Sequence, residues 1–151
     1  MPATSLTVLS QSPHQEKVAG ELSQMAERIV REQSGLGGKV LQGAFAAGQK
    51  FDPDIANKAS ARLLPSLLEN LNPMWASYQA DGEPQGFGAY LNEHQPDSTN
   101  TLLSVLDDNA AKVDNQQVQK IYRSIRGRVE KVVQAHLTDL GELLESNMRQ
   151  A

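Results

Sequence analysis

The chain has 151 residues, 39% of them hydrophobic, with seven aromatics (one Trp, three Tyr, three Phe), no cysteine and a formal charge of −4. That is enough chain for one domain with its own core, while the missing cysteine excludes disulfides, thiolate metal sites and a cysteine nucleophile. The acidic balance argues against general nucleic-acid binding; the lack of a signal-peptide pattern or a membrane-length apolar run points to a soluble, cytoplasmic protein.

With so few aromatics, Leu, Val, Ile and Ala must fill the core, which suits helices better than a sandwich. Residues 1–11 read as an arm or short helix offering Leu6, Val8 and Leu9. Residues 12–151 read as a single helical domain. Its first helix opens at Ser12-Pro13, with Gln15 at capping-box spacing. It carries Val18, Leu22, Met25, Ile29 and Val30 at steps of three and four, and ends at Gly35. Leu36 to Phe51 reads as a buried central helix of small residues, weakened by Gly43 and Gly48. Asp52-Pro53 restarts a helix with Ile55, Ala59, Leu63, Leu67 and Leu71 in one stripe. Pro65 is expected to kink or divide it, and Asn72-Pro73 to open a short helix with Met74, Trp75 and Tyr78.

Asp81 to Gly86 has loop composition, and a short helix with Phe87, Tyr90 and Leu91 follows. Pro96-Asp97-Ser98 breaks the chain, with Asp97 or Ser98 capping a helix that holds Leu102, Leu103, Val105 and Leu106. Asp114 is the expected cap of the longest segment. There Val118, Ile121, Ile125, Val129, Val132, His136, Leu140 and Leu144 keep helical period, with a bend near His136 and Leu137. No strand-like alternation of useful length appears. The expected fold is an all-α, single-domain bundle of about six to eight helices with a long C-terminal helical segment.

Leu63-Leu64-Pro65, Leu71-Asn72-Pro73-Met74-Trp75 and Gly86-Phe87-Gly88-Ala89-Tyr90-Leu91, with the Ser34–Gly38 turn and Ala135-His136-Leu137 before Leu140-Gly141, carry a resemblance. The chain resembles a small, uncharacterised bacterial all-helical family, a domain of unknown function, over residues 14 to 146. The resemblance implies the helical fold and lends no site residue.

Motif tests fail at particular positions. Gly35-Leu36-Gly37-Gly38-Lys39 is no Walker loop, because Gln33 stands where its first glycine belongs and Val40 where its Ser/Thr belongs. The residues three before His136, His94 and His14 are Val133, Leu91 and Gln11, so the Glu-x-x-His metal pairing of bundles is missing. No serine sits in a Gly-x-Ser-x-Gly elbow. The sequence therefore names no catalytic, cofactor-binding or metal residue, and implies no cofactor.

Two regions remain. Trp75, Tyr78, Phe87 and Tyr90 gather four of the seven aromatics, either as core or as the wall of a ligand or partner site. Residues 112 to 131 hold six bases against Asp114 and Glu130, leaving −8 on the rest of the chain. Lys120, Arg123 and Lys131 share one helix side and could form an anion-binding surface, while Arg126 and Arg128 point elsewhere. The expected function is a non-enzymatic cytoplasmic protein-interaction or scaffold module that binds an unknown protein or itself. The alternative is a small-ligand-binding bundle with an apolar pocket near Trp75 and Tyr90.

Overall fold

The computed structural model describes residues 5–11, 13–82 and 85–150. A 3-10 turn, Leu6–Ser10, precedes seven α-helices: α1 His14–Glu32, α2 Gly35–Phe51, α3 Ile55–Ala80, α4 Phe87–Glu93, α5 Gln95–Lys112, α6 Gln116–Ala135 and α7 Leu137–Gln150. The described residues contain no strand, so the protein is an all-α bundle. Ser12, the expected first cap, lies outside the described residues.

The largest departure from expectation is α3. Its 26 residues run unbroken through Pro65 and Pro73, neither of which divides it. A mid-helix proline removes a hydrogen bond and costs about 3 kcal/mol. Here Leu64, Leu67, Leu68, Leu71, Trp75 and Tyr78 are buried along the same helix, and their burial outweighs that local cost at about 1.5–3 kcal/mol each. Asn72 opens no helix. Its Oδ1 accepts from the Leu6 N–H (2.9 Å) and the Ser5 hydroxyl (3.1 Å), tying the N-terminal turn to α3.

Smaller corrections concern caps. The first helix ends at Glu32, and Gly35 opens α2 at φ +75°. Asn115, not Asp114, caps α6, its side chain accepting from the N–H groups of Gln117 and Val118. Ser98 lies inside the first turn of α5, fully buried, and its hydroxyl donates to the Leu91 carbonyl at 2.9 Å. The bend at His136 is present: it separates α6 from α7.

The tight core joins Leu6 and Leu9 of the N-terminal turn to Val18, Leu68, Trp75, Phe87, Leu91 and Leu144 of α1, α3, α4 and α7. Its closest approach is between α4 and α7. A Cβ on Gly141 would lie 2.4 Å from the Gly88 Cα, and one on Gly88 would lie 2.4 Å from the Thr138 carbonyl oxygen. Only glycine at both positions lets these backbones touch. Glu145 of α7 locks the pair, accepting from the Tyr78 hydroxyl (2.5 Å) and the Phe87 N–H (3.3 Å) at the start of α4.

α2 and α6 are packed differently. Among the described residues the tight core takes none from α2 and only the partly buried Val133 from α6. α6 has no buried residue in all 20 positions. The expectation that α2 is a buried central helix fails, since Leu41 is its one buried large side chain among the described residues and Leu36 is 84% exposed. What the two helices cover is a space.

Candidate functional site

Between α2 and α6 on one side and α1, α3 and α5 on the other lies an apolar cavity of ≈ 520 Å³. The inner stripe of α6 supplies Val118, Ile121, Ile125, Val129 and Val132, at the steps of three and four that keep one helix face inward, and His136 follows just past its end. α2 supplies Leu41, Ala44, Phe45 and Gly48. Leu22, Met25 and Ile29 of α1, Leu63 and Leu67 of α3, and Leu102 and Val105 of α5 form the opposite wall. The space exists because bulky residues are missing where it opens: Ala26, Ala44, Gly48, Ala56, Ala59 and Ser60 all face it. α6 packs on α5, α2 and α7, and reaches α1 and α3 across the cavity.

Among the described residues no Asp, Glu, Lys or Arg lines the cavity, and its polar side chains are Ser60, Tyr122 and His136. The Tyr122 hydroxyl is already used. It donates to Asp107 Oδ1 at 2.7 Å, and Arg126 grips both oxygens of that carboxylate at 2.9 and 2.8 Å. This cluster staples α6 to α5. Arg126 first, and Tyr122 with it, holds the Asp107 carboxyl below its ordinary range, while burial and the Asp107 carboxylate push the Tyr122 phenol up.

The other two polar groups have capacity to spare. Ser60 is nine-tenths buried and makes no hydrogen bond among the described residues. His136 places Nδ1 2.9 Å from the Val132 carbonyl. A carbonyl only accepts, so Nδ1 carries the hydrogen and Nε2 is the ring nitrogen left for another partner.

The pocket is open to solvent on one side, and its wall is almost wholly apolar. Water is a poor filler, since each molecule needs two to four polar partners and the lining offers few. The lining calls for an apolar occupant.

The residues singled out from the sequence lie elsewhere. Trp75, Tyr78, Phe87 and Tyr90 are at most 9% exposed and pack on one another, Trp75 edge-on to Phe87 at 5.0 Å between ring centres. None lines the cavity, so the pocket expected near Trp75 and Tyr90 is replaced by one under α2 and α6. The aromatics sit in the core because α4 is pinned there by Gly88, Gly141 and Glu145. Lys120, Arg123 and Lys131 are exposed on the outer side of α6, and none forms an ion pair among the described residues. Arg126 turns to Asp107 on α5, and the Arg128 guanidinium lies over Gly37 on α2.

Sequence reasoning missed Ser60, and read His136 as an ordinary residue of the apolar stripe. The available signal was a set of small residues (Ala44, Gly48, Ala56, Ala59, Ser60) at inward positions facing a long stripe of Val and Ile. Among the described residues no three His, Asp or Glu gather to hold a metal ion, and no helix is long and apolar enough to cross a membrane.

In comparison with known proteins, residues 6–148 match a family described as a family of unknown function (DUF6918). No curated protein and no solved structure matches the chain.

Proposed function

The chain belongs to this family of unknown function, and for it we propose a non-catalytic role: reversible binding of a small apolar molecule that carries one hydrogen-bonding group. The observation that supports it is the ≈ 520 Å³ cavity, lined without a single charged residue yet containing two polar groups with unused hydrogen-bonding capacity, Ser60 and His136 Nε2. Small-molecule sites occupy about 300–1,000 Å³ and pair an apolar wall with a few polar groups that set orientation. The Ser60 hydroxyl donates or accepts and His136 Nε2 accepts, so a hydrocarbon ending in an alcohol or a protonated carboxyl group suits both. Binding is favoured over chemistry because, among the described residues, no carboxylate or other charged group stands beside His136 on the lining. A bacterial setting, which the family resemblance suggests, and a cytoplasmic location are part of the proposal. The partner-binding role expected from the sequence then belongs to the outer surface of α2 and α6.

The experiment compares decanol with decane as probes. Phe45→Trp places a reporter in the lining; Trp75, inside the tight core, reports only unfolding. Decanol at about 100 times its Kd adds about 2.7 kcal/mol, a rise in Tm of roughly 5–10 °C for a chain this size. Ser60→Ala with His136→Leu brings decanol down to the affinity of decane, about tenfold. Unchanged Tm and unchanged Phe45→Trp emission up to the solubility limit of both probes would overturn the reading.

A further inference from the structure

The outer surface of α2 is the least explained part of the molecule. A helix that turns one apolar face inward ordinarily shows a polar face to water, and one that is apolar all round is covered. The inner face of α2 is Leu41, Ala44, Phe45 and Gly48. Its outer face is Leu36, Lys39, Val40, Gly43, Ala46 and Lys50, all exposed, with Leu36 at 84% and Val40 at 52%. α2 contains no acidic residue. Beside it, α6 exposes Lys120, Arg123 and Lys131 on the side away from the cavity, with Glu130 the one exposed acid of that helix. Arg128 rests over Gly37 in the first turn of α2, where the helix's own partial charge is positive. In a chain of net charge −4, the two cavity-covering helices therefore carry a basic surface studded with exposed aliphatic side chains.

We propose that this face docks on an anionic lipid bilayer, with Leu36 and Val40 entering the headgroup–acyl boundary and the bases of α2 and α6 lying against the lipid headgroups. Charge selects this occupant. A second copy meeting the face symmetrically would set Lys39, Lys50, Lys120, Arg123 and Lys131 against the same bases, whereas an anionic bilayer offers negative charge and an apolar layer together. Docking also gives the cavity a route to its ligand. α2 and α6 stand between the bilayer and the cavity, and they contribute only Leu41 and Gly38 to the buried residues of the described chain. Loosely held elements are those that open most readily. That exchange step rests on the ligand-binding reading above; the docking itself does not.

The experiment is flotation of the full chain with vesicles of pure phosphatidylcholine and with vesicles containing about a third phosphatidylglycerol, at low and high salt. Association with the anionic vesicles alone, weakening steeply with salt, is expected. Each base at an anionic surface contributes about fivefold, so the triple charge reversal K120E/R123E/K131E reduces the partition by at least about 100-fold. L36D/V40D also abolishes it. All five positions are exposed, so both variants should keep the wild-type Tm and decanol binding in solution, two readouts that separate lost docking from lost folding. Equal binding to neutral vesicles, or anionic binding untouched by both variants, overturns the proposal. So does sedimentation showing a dimer that L36D/V40D dissociates. Decanol binding without vesicle binding removes docking and leaves the ligand reading standing; vesicle binding without decanol binding does the reverse.

Discussion

Filling the cavity distinguishes a binding space from an ordinary full core. Ala44 lies on α2, half-buried, facing the cavity. Ala44→Leu adds three carbons to that space. At about 0.8 kcal/mol per buried CH₂ the gain is about 2.4 kcal/mol, and the small difference in helix propensity leaves about 2 kcal/mol. For a chain of this length that raises Tm by roughly 4–8 °C. In an ordinary full core the same substitution overpacks and costs about 1–3 kcal/mol, so the sign alone decides. The assay is urea unfolding followed by Trp75, which is 3% exposed in the tight core and so reports the global transition. Decanol binding measured on the same variant should weaken as the space fills. A lower urea midpoint with an unchanged slope would refute the reasoning, since it would mean that α2 already packs against its neighbours.

The glycines give opposite expectations that circular dichroism melts can check. Gly141→Ala drives a Cβ to 2.4 Å from the Gly88 Cα and should cost more than about 2 kcal/mol, as backbone cannot step aside. Gly127→Ala in α6 meets nothing within 4 Å and should gain about 1 kcal/mol from helix propensity. Tyr78→Phe removes the donor to the buried Glu145 carboxylate and should cost about 1.5–3 kcal/mol, read as a lowered urea midpoint. Acid sensitivity should follow Asp107. Its carboxyl is held below the ordinary value of 3.8 by Arg126 and Tyr122, so its contribution is complete above that value and lost as pH falls through the lower folded-state pKa. The ion pair is part-exposed, so the effect is at most about 1 kcal/mol. Asp107→Asn should remove that part of the decline in urea midpoint below about pH 4, and an unchanged acid limb would count against the assignment.

Periodicity and local chemistry carried the fold class because both act within a few residues. The helices built on Val18 to Val30, Leu102 to Leu106 and Val118 to Leu144 follow from apolar steps of three and four, and the bend expected near His136 and Leu137 falls between α6 and α7. Local signals misled where tertiary burial outweighed them. Pro65 and Pro73 look like ends, yet Leu64, Leu68, Leu71 and Trp75 are buried on both sides of them and hold one helix together. Asn72 looks like a cap and instead receives Leu6 from 66 residues away.

The candidate site was legible only in fragments. From the sequence alone one can see that α6 has a full apolar stripe, that Lys120, Arg123 and Lys131 share its other side, and that α2 is rich in Gly and Ala without an acid. A stripe implies burial but does not say against what. Only the tertiary arrangement brings small residues of α1, α2 and α3 to the same pocket as the stripe, and puts Ser60 and His136 on its lining. The aromatics illustrate the converse. Their clustering near Gly86 and Gly88 left core and pocket both open, and the contact of Gly88 with Gly141, 53 residues away, presses α4 onto α7 and packs those rings into core. Volume is a property of pairs of elements, and no single segment of the sequence contains it.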